Sequence, residues 1–285
     1  MLIVGCGYIG ERVAHRLQEQ GEPVSGLVRS EETAEHVGGL GVPVLRCDLD
    51  TQPLPAGSTG GQYVFYFAPP PRSGVEDARL ARFIAGLEDG GQPRRIVYIS
   101  TTGVYGDCKG AWVDETHPPN PQVDRARRRW HAEQLLRAWQ DRTGGELVIL
   151  RVAGIYGPGK LPLARLRQQA PMVAECDAPW TNRIHADDLV EVCLAAMRRG
   201  VDGEVYNACD GSPGNMTDYF NRVADLTGLP RPPAVTLEQA AQELSPGLLS
   251  YLGESRRLDN SKLLRDLQVK LRYPELASGL AASLD

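Results

Sequence analysis

"VGCGYIGERV", Val4 to Val13, places three glycines at the spacing G-x-G-x-x-G: Gly5, Gly7 and Gly10. Before them stands the apolar run "LIVG", Leu2 to Gly5. After them Ile9, Val13 and Leu17 recur every four residues, one apolar face of a helix that Gly21 stops. A glycine turn between a strand and an amphipathic helix is the arrangement that cradles a dinucleotide. Gly5 permits the tight turn, Gly7 lets backbone approach a pyrophosphate, and Gly10 lets the helix pack closely on the strand. The helix N-terminus offers unpaired N–H groups and its dipole to the phosphates. Tyr8 and Ile9 are counted with the three glycines as cofactor-binding. Cys6 lies inside the turn, where a thiol's pKa can fall, although simple packing is the plainer reading.

The alternation continues through the first half. "PVSGLVR" (Pro23 to Arg29), "PVLRCDL" (Pro43 to Leu49), "QYVFYFA" (Gln62 to Ala68), "RIVYIS" (Arg95 to Ser100) and "ELVILR" (Glu146 to Arg151) read as further strands. Helices are predicted over Asp77 to Leu87 and Asp124 to Trp139. Apolar strands alternating with amphipathic helices indicate a parallel sheet covered on both faces, an α/β doubly wound fold. Ligands of such sheets bind at the carboxyl ends of the strands, so the residues just after each strand carry the information.

The 285 residues are 42% hydrophobic and 24% charged, with a net charge of -5, a globular composition. The mild acidity argues against nucleic acid as a partner. No apolar run approaches the ~20 residues of a membrane span, and no signal peptide precedes the strand at Leu2. The six cysteines form no C-x-x-C pair, which speaks against a zinc site or a disulfide framework and for a cytoplasmic location. No metal is expected.

The end of the second strand sets the cofactor preference. NAD binders usually place an Asp or Glu there to accept from the ribose 2′-OH. Here the positions hold Val28, Arg29 and Ser30. Valine makes no such bond, whereas arginine pairs with a 2′-phosphate, so NADP is favoured. NAD is the alternative, with Glu31 or Glu32 at the ribose and Arg29 solvated.

From "STTGVYG" (Ser100 to Gly106) onward the chain resembles the extended short-chain dehydrogenase/reductases, the nucleotide-sugar epimerase/dehydratase family. "LRVAGIYGPG" (Leu150 to Gly159), "RIHADDL" (Arg183 to Leu189), "EVYNACDG" (Glu204 to Gly211) and "DNSKLLRDL…LRYPELASGL" follow in that family's order, covering essentially the whole chain. The resemblance implies a Rossmann domain, residues 1–157 plus 184–209, and a smaller C-terminal α/β substrate domain, residues 158–183 plus 210–285. It implies a nicotinamide cofactor, a small-molecule substrate of the nucleotide-sugar kind, and a homodimer through the helix that begins near 124. It places Asp48 and Leu49 at the adenine, Ala68 along the cofactor, and Thr101 at the catalytic Ser/Thr position.

The family's Tyr-x-x-x-Lys pair is missing. Aligning Ala132 and Glu133 of "DRARRRWHAEQLL" with the usual K-x-x-A-E puts Arg125 at the tyrosine and Arg129 at the lysine. Arginine keeps its proton, so Arg125 cannot replace the tyrosine as acid–base; Arg129 can still hold ribose or phosphate. Tyr105 with Lys109 and Tyr156 with Lys160 have the right spacing, but both lie in glycine-bearing loops rather than on a helix. Tyr105 alone, close to Thr101, is retained as a catalytic candidate, against a packing role under the substrate loop. Thr102 and Gly103 stand where dehydratases carry Asp and Glu, which disfavours that reaction. The pattern resembles the atypical short-chain reductases.

Three other groups were weighed. Asp187 or Asp188 is expected to cap the helix from Leu189, rather than form a metal or acid–base cluster with His185. Arg127 and Arg128 read as a solvated face or an interface, Trp130 and Trp139 as core or interface. Arg183, after Trp180 and Asn182, binds an anionic substrate group or an intradomain carboxylate. The sequence therefore favours an NADP-binding oxidoreductase or epimerase-like enzyme with an atypical centre. The alternative is a non-enzymatic dinucleotide sensor.

Overall fold

The computed structural model describes residues 1–244 and 246–284. Seven strands build one sheet: β1 (Leu2–Val4), β2 (Ser25–Val28), β3 (Val44–Arg46), β4 (Tyr63–Tyr66), β5 (Arg95–Thr101), β6 (Glu146–Val152) and β7 (Val205–Ala208). Their order across the sheet is β3-β2-β1-β4-β5-β6-β7, and every neighbouring pair is parallel. In register, Leu2 of β1 faces Ser25 on one side and Val64 on the other. The expected doubly wound Rossmann sheet is what forms.

Both faces are buried, as continuous apolar strands require. Along β5, Ile96 and Tyr98 point into one core with Phe83, Leu136 and Trp139. Val97 and Ile99 alternate into the other, with Val13, Leu17 and Leu189. The strand order reverses between β1 and β4, leaving a crevice at their carboxyl ends, where such sheets take ligands.

The covering helices are α1 (Tyr8–Glu19), α2 (Glu31–Gly39), α3 (Ala78–Gly90), α4 (Asp124–Thr143) and α5 (Ala186–Arg199). No apolar repeat announces α2, which buries only Val37. Its signal is a cap: the Ser30 hydroxyl accepts from the Thr33 amide at 3.3 Å, with Glu31 and Glu32 in the first turn. The helix from Ala186 is also capped differently from expectation. His185 does it, its Nδ1 accepting from the Asp187 amide at 3.2 Å. Asp187 turns outward to Arg12 at 3.1 Å, and Asp188 binds the amides of Arg272 and Tyr273, anchoring the C-terminal segment.

Beyond the sheet the chain makes four two-stranded ladders. Gly154–Tyr156 pairs with Arg183–His185, Trp180–Thr181 with Gly214–Asn215, Met172–Val173 with Ala234–Val235, and Trp112–Val113 with Arg257–Leu258. Among the further helices on this side are α6 (Met216–Thr227) and α7 (Pro246–Leu252). Among the described residues no helix is long and apolar enough to cross a membrane.

Candidate functional site

The glycine turn joins β1 to α1 with the geometry its sequence demands. Gly5 has φ +89°, and a Cβ there would meet the Ala68 backbone nitrogen at 2.5 Å. A Cβ on Gly10 would lie 2.9 Å from the Gly5 oxygen. Both glycines are thus required by the protein's own packing. Gly7 is different: a Cβ there would meet nothing within 4 Å, so the space before it is free for a ligand. Gly7 caps α1 without a side-chain acceptor, and its carbonyl takes the Glu11 amide. The amides of Tyr8, Ile9 and Gly10 have no preceding turn to bond to and form an anion cradle. The residues present therefore fit a dinucleotide pyrophosphate.

Tyr8 also ties the turn to the far side of the crevice, donating from its hydroxyl to the Pro158 carbonyl at 2.9 Å. Cys6 is a packing residue. It is buried against Gly26, and burial pushes its thiol up to about 12.

At the end of β2, Arg29 stands in solvent, its side chain 63% exposed, 3.6 Å from the Asp50 carboxylate. Ser30 is spent on the α2 cap. Glu31 is ion-paired with Arg46 on β3. After β3, the Asp48 carboxylate accepts the Asp50 amide at 3.0 Å, and Leu49 is buried beneath it. Ala68 follows β4 beside Gly5.

A cavity of about 640 Å³ opens past the ends of β5 and β6. Ile99, Thr101, Gly103 and Val152 line its sheet side, Arg125 and Arg129 come from α4, and Arg183, Met216, Phe220, Tyr251, Glu254 and Arg256 close the other side. The Thr101 hydroxyl oxygen accepts the Gly103 amide at 3.2 Å, which fixes its rotamer. Arg129 donates to the Tyr98 hydroxyl at 3.1 Å and toward the Ala68 carbonyl at 3.4 Å. It thereby bridges cofactor crevice and cavity. Buried Tyr98 has its phenol pushed up to about 12 by desolvation, so it remains a neutral partner.

Below Thr101, Ser100 donates to Glu133 at 2.5 Å, and Glu133 takes a two-point grip from Arg151 at 3.2 and 2.8 Å. This buried pair locks α4 to β5 and β6, and so sets where Arg125 and Arg129 project. Arg128, expected on a solvated face or an interface, is buried within the chain and donates to the Gly74 carbonyl.

Four guanidiniums face the cavity against one carboxylate, Glu254. Glu254 Oε2 lies 3.3 Å from Arg125 and 3.1 Å from Arg256. Arg183 stacks on the Tyr219 ring at 3.6 Å and makes no hydrogen bond or ion pair among the described residues. The site therefore favours an anionic ligand group.

Tyr105 does not line this cavity. It is fully buried, donates to the Asn207 amide oxygen at 2.8 Å, and lies under the Arg151 guanidinium at 4.7 Å. Its surroundings are those of a packing residue rather than the proton donor anticipated beside Thr101. Tyr156 is likewise buried, and neither spaced lysine shares a helix with its tyrosine. Sequence reasoning missed Tyr251, Glu254 and Arg256. They are held at the cavity by long-range contacts, among them the pairing of Arg257–Leu258 with the distant strand Trp112–Val113 and the Arg125 contacts to Ser250 and Glu254.

The sequence model of the NAD dependent epimerase/dehydratase family matches residues 77–209. A solved structure of a functionally unknown conserved protein from Silicibacter pomeroyi is 34% identical, covering 99% of this chain and 96% of that chain, with TM-score 0.84. A 4-hydroxy-2-methyl-3-oxo-4-farnesyl-3,4-dihydroquinoline-1-oxide ketoreductase from Stigmatella aurantiaca is 28% identical over 95% of this chain and 82% of that protein. The UDP-glucose 4-epimerase of Thermotoga maritima, solved with UDP-glucose, shares the fold at TM-score 0.78 and 19% identity, covering 99% of this chain and 96% of that one.

Proposed function

The chain belongs to the NAD-dependent epimerase/dehydratase family, and from that premise we propose that it is an NADP-dependent oxidoreductase acting on a small-molecule carbonyl, with an active centre that has lost the family's Tyr-x-x-x-Lys pair. The observation that carries this reading is Arg129, which touches both the Ala68 carbonyl in the cofactor crevice and the cavity that Thr101 lines. Bound there, a nicotinamide cofactor supplies a hydride.

The chain's own residues do the rest. The amides of the Gly5–Gly10 turn hold the pyrophosphate. Arg29, with Ser30 at its side, meets the ribose 2′-phosphate; its exposed guanidinium, held only loosely at 3.6 Å by Asp50, supports NADP over NAD. Asp48 and Leu49 flank the adenine, and Ala68 lies along the dinucleotide. Arg129 replaces the lysine at the nicotinamide ribose. Thr101 orients the substrate oxygen. In this reading residues 1–157 and 184–209 hold the cofactor, and 158–183 with 210–285 hold the substrate.

The ketoreductase relative supports carbonyl reduction over epimerisation. Arg183, which makes no hydrogen bond or ion pair among the described residues, supports a substrate that carries an anionic group. A nucleotide sugar, as in the Thermotoga neighbour, meets that requirement. One observation favours the sensor reading: α4 carries neither tyrosine nor lysine. The two part on turnover. Thermal-shift titration with NADPH and NADH, followed by NADPH oxidation with a panel of carbonyl compounds and nucleotide sugars, distinguishes them. Stabilisation with turnover supports the enzyme, and stabilisation without turnover on any member supports the sensor.

A further inference from the structure

Carbonyl reduction needs a proton for the oxygen as well as a hydride for the carbon, and α4 lacks the family's donor. The described residues lining the cavity include no histidine, cysteine or lysine. Its four arginines keep their protons. Apart from the alcohol hydroxyls of Ser100, Thr101, Thr102 and Thr181, two side chains remain that exchange a proton, Glu254 and Tyr251. Glu254 is engaged through Oε2 by two guanidiniums, accepting a hydrogen bond from Arg256 at 3.1 Å and ion-paired with Arg125 at 3.3 Å. Tyr251 is the only phenol among the described lining residues, and its hydroxyl makes no hydrogen bond to any described residue.

We propose that Tyr251, supplied by α7, is the proton donor of this centre, a statement that rests on reading the cavity as a site of carbonyl reduction. Its position follows from the residue that replaced the helical tyrosine. Arg125 projects from α4 into the cavity and lies over the Tyr251 ring at 3.9 Å. The same guanidinium donates to Ser250 at 2.8 Å and pairs with Glu254, so three contacts to residues 250–254 dock that segment against α4. The segment returns a phenol to the neighbourhood from which the helix lost one. Tyr251 is 48% exposed, so water reaches it at the cavity mouth.

The step balances. A bound NADPH would supply a hydride for the new C–H bond at the carbonyl carbon and be left as NADP⁺, and the C=O π pair would move onto oxygen. That oxygen takes the Tyr251 phenolic proton as the O–H bond breaks. The phenolate left beside the Arg125 cation is reprotonated by water. In the reverse direction Tyr251 removes the proton of an alcohol.

Tyr251→Phe tests this, because it keeps the ring and its stacking on Arg125 and removes the hydroxyl alone. The probes are 9,10-phenanthrenequinone, isatin and a set of 4-keto nucleotide sugars, each with NADPH. The expected result is a kcat lowered about 100-fold or more, with NADPH affinity and melting temperature unchanged. A second readout needs no turnover: nitration by tetranitromethane, mapped by peptide mass. Tyr251 should be nitrated in the free protein and protected by NADP⁺ together with the probe's alcohol. Tyr63, 37% exposed at the amino end of β4, should be nitrated in both states. A Tyr251→Phe variant within threefold of an active wild type, or Tyr251 nitration unaffected by the ligands, overturns the proposal and leaves the reductase reading standing. A wild type that binds NADPH and reduces no probe overturns that reading, and the proposal with it.

Discussion

The Arg129 guanidinium lies 3.1 Å from the hydroxyl of Tyr98, a buried phenol on the strand beneath it. The contact spans α4 and β5 and aims a permanent cation between the end of β4 and the cavity. A flexible lysine has three rotatable donors on a point charge, whereas arginine spreads its donors over a planar fork. One arginine therefore satisfies Tyr98 and Ala68 together and keeps further N–H groups for a ribose or phosphate. Arg129→Met should weaken NADPH binding about 10-fold or more, the worth of a charge-assisted hydrogen bond. Arg129→Lys should recover part of it. Fluorescence titration with NADPH measures both.

The glycine turn allows fold and function to be separated within six residues. Gly7→Val should leave the melting temperature nearly unchanged, because an added Cβ meets no protein atom. It should abolish NADPH binding, because the side chain fills the phosphate position. Gly5→Ala should do the opposite first: at φ +89° and 2.5 Å from the Ala68 nitrogen it destabilises the fold itself. Calorimetry alongside NADPH titration distinguishes the two.

In the proposed reading Arg29 carries the cofactor preference. Arg29→Ala should raise the Kd for NADPH about 10-fold, in line with a lost charge-assisted contact, and leave NADH unchanged. Parallel titrations of the two cofactors on wild type and variant check it. Equal loss for both would assign Arg29 to general electrostatics.

Asp210 gives the protein a pH signature. Burial pushes its carboxyl up to about 7, although the Ser212 amide bonds one oxygen at 2.9 Å and Arg183 lies nearby. The folded state thus holds a proton that the unfolded state has released between about pH 4 and pH 7. Stability should fall as pH rises through that window, by up to about 1.4 kcal/mol per pH unit. Asp210→Asn removes the effect. The variant should be the more stable protein above pH 7, and the two should converge below pH 4, in urea melts across the range. Burial lowers the pKa of His185, which has the opposite sign, but that contribution is common to both proteins and cancels in the difference.

Much of the fold is legible in the chain because strands buried on both faces are written as apolar runs, from residues 2–4 to residues 147–150. Helix α2 is not, since a helix that buries one valine has no apolar face to show; only its Ser30 cap marks it. The glycine turn is local in sequence, since the spacing of Gly5, Gly7 and Gly10 falls between β1 and α1 as an unbroken stretch. The substrate side is not local. Arg125 reads on its own as a missing tyrosine, and its partners Ser250, Tyr251 and Glu254 lie more than a hundred residues away. They arrive on α7 and the residues after it, before a two-residue strand pairing too short to carry a period. Tyr105 misled for a related reason. Its place after β5 suggested the cavity, but Asn207 and Arg151 draw it into the interior.

The central claim is hydride transfer by a centre without the family's tyrosine and lysine. The measurement that tests it most directly is isotope transfer from NADPH deuterated at C4 to the carbonyl panel, read by mass spectrometry of the products. The expected result is an alcohol carrying one deuterium on the former carbonyl carbon, formed by wild type and lost with Gly7→Val. Tight NADPH binding with no deuterium in any product would contradict it, and would leave a protein that senses the cofactor without using it.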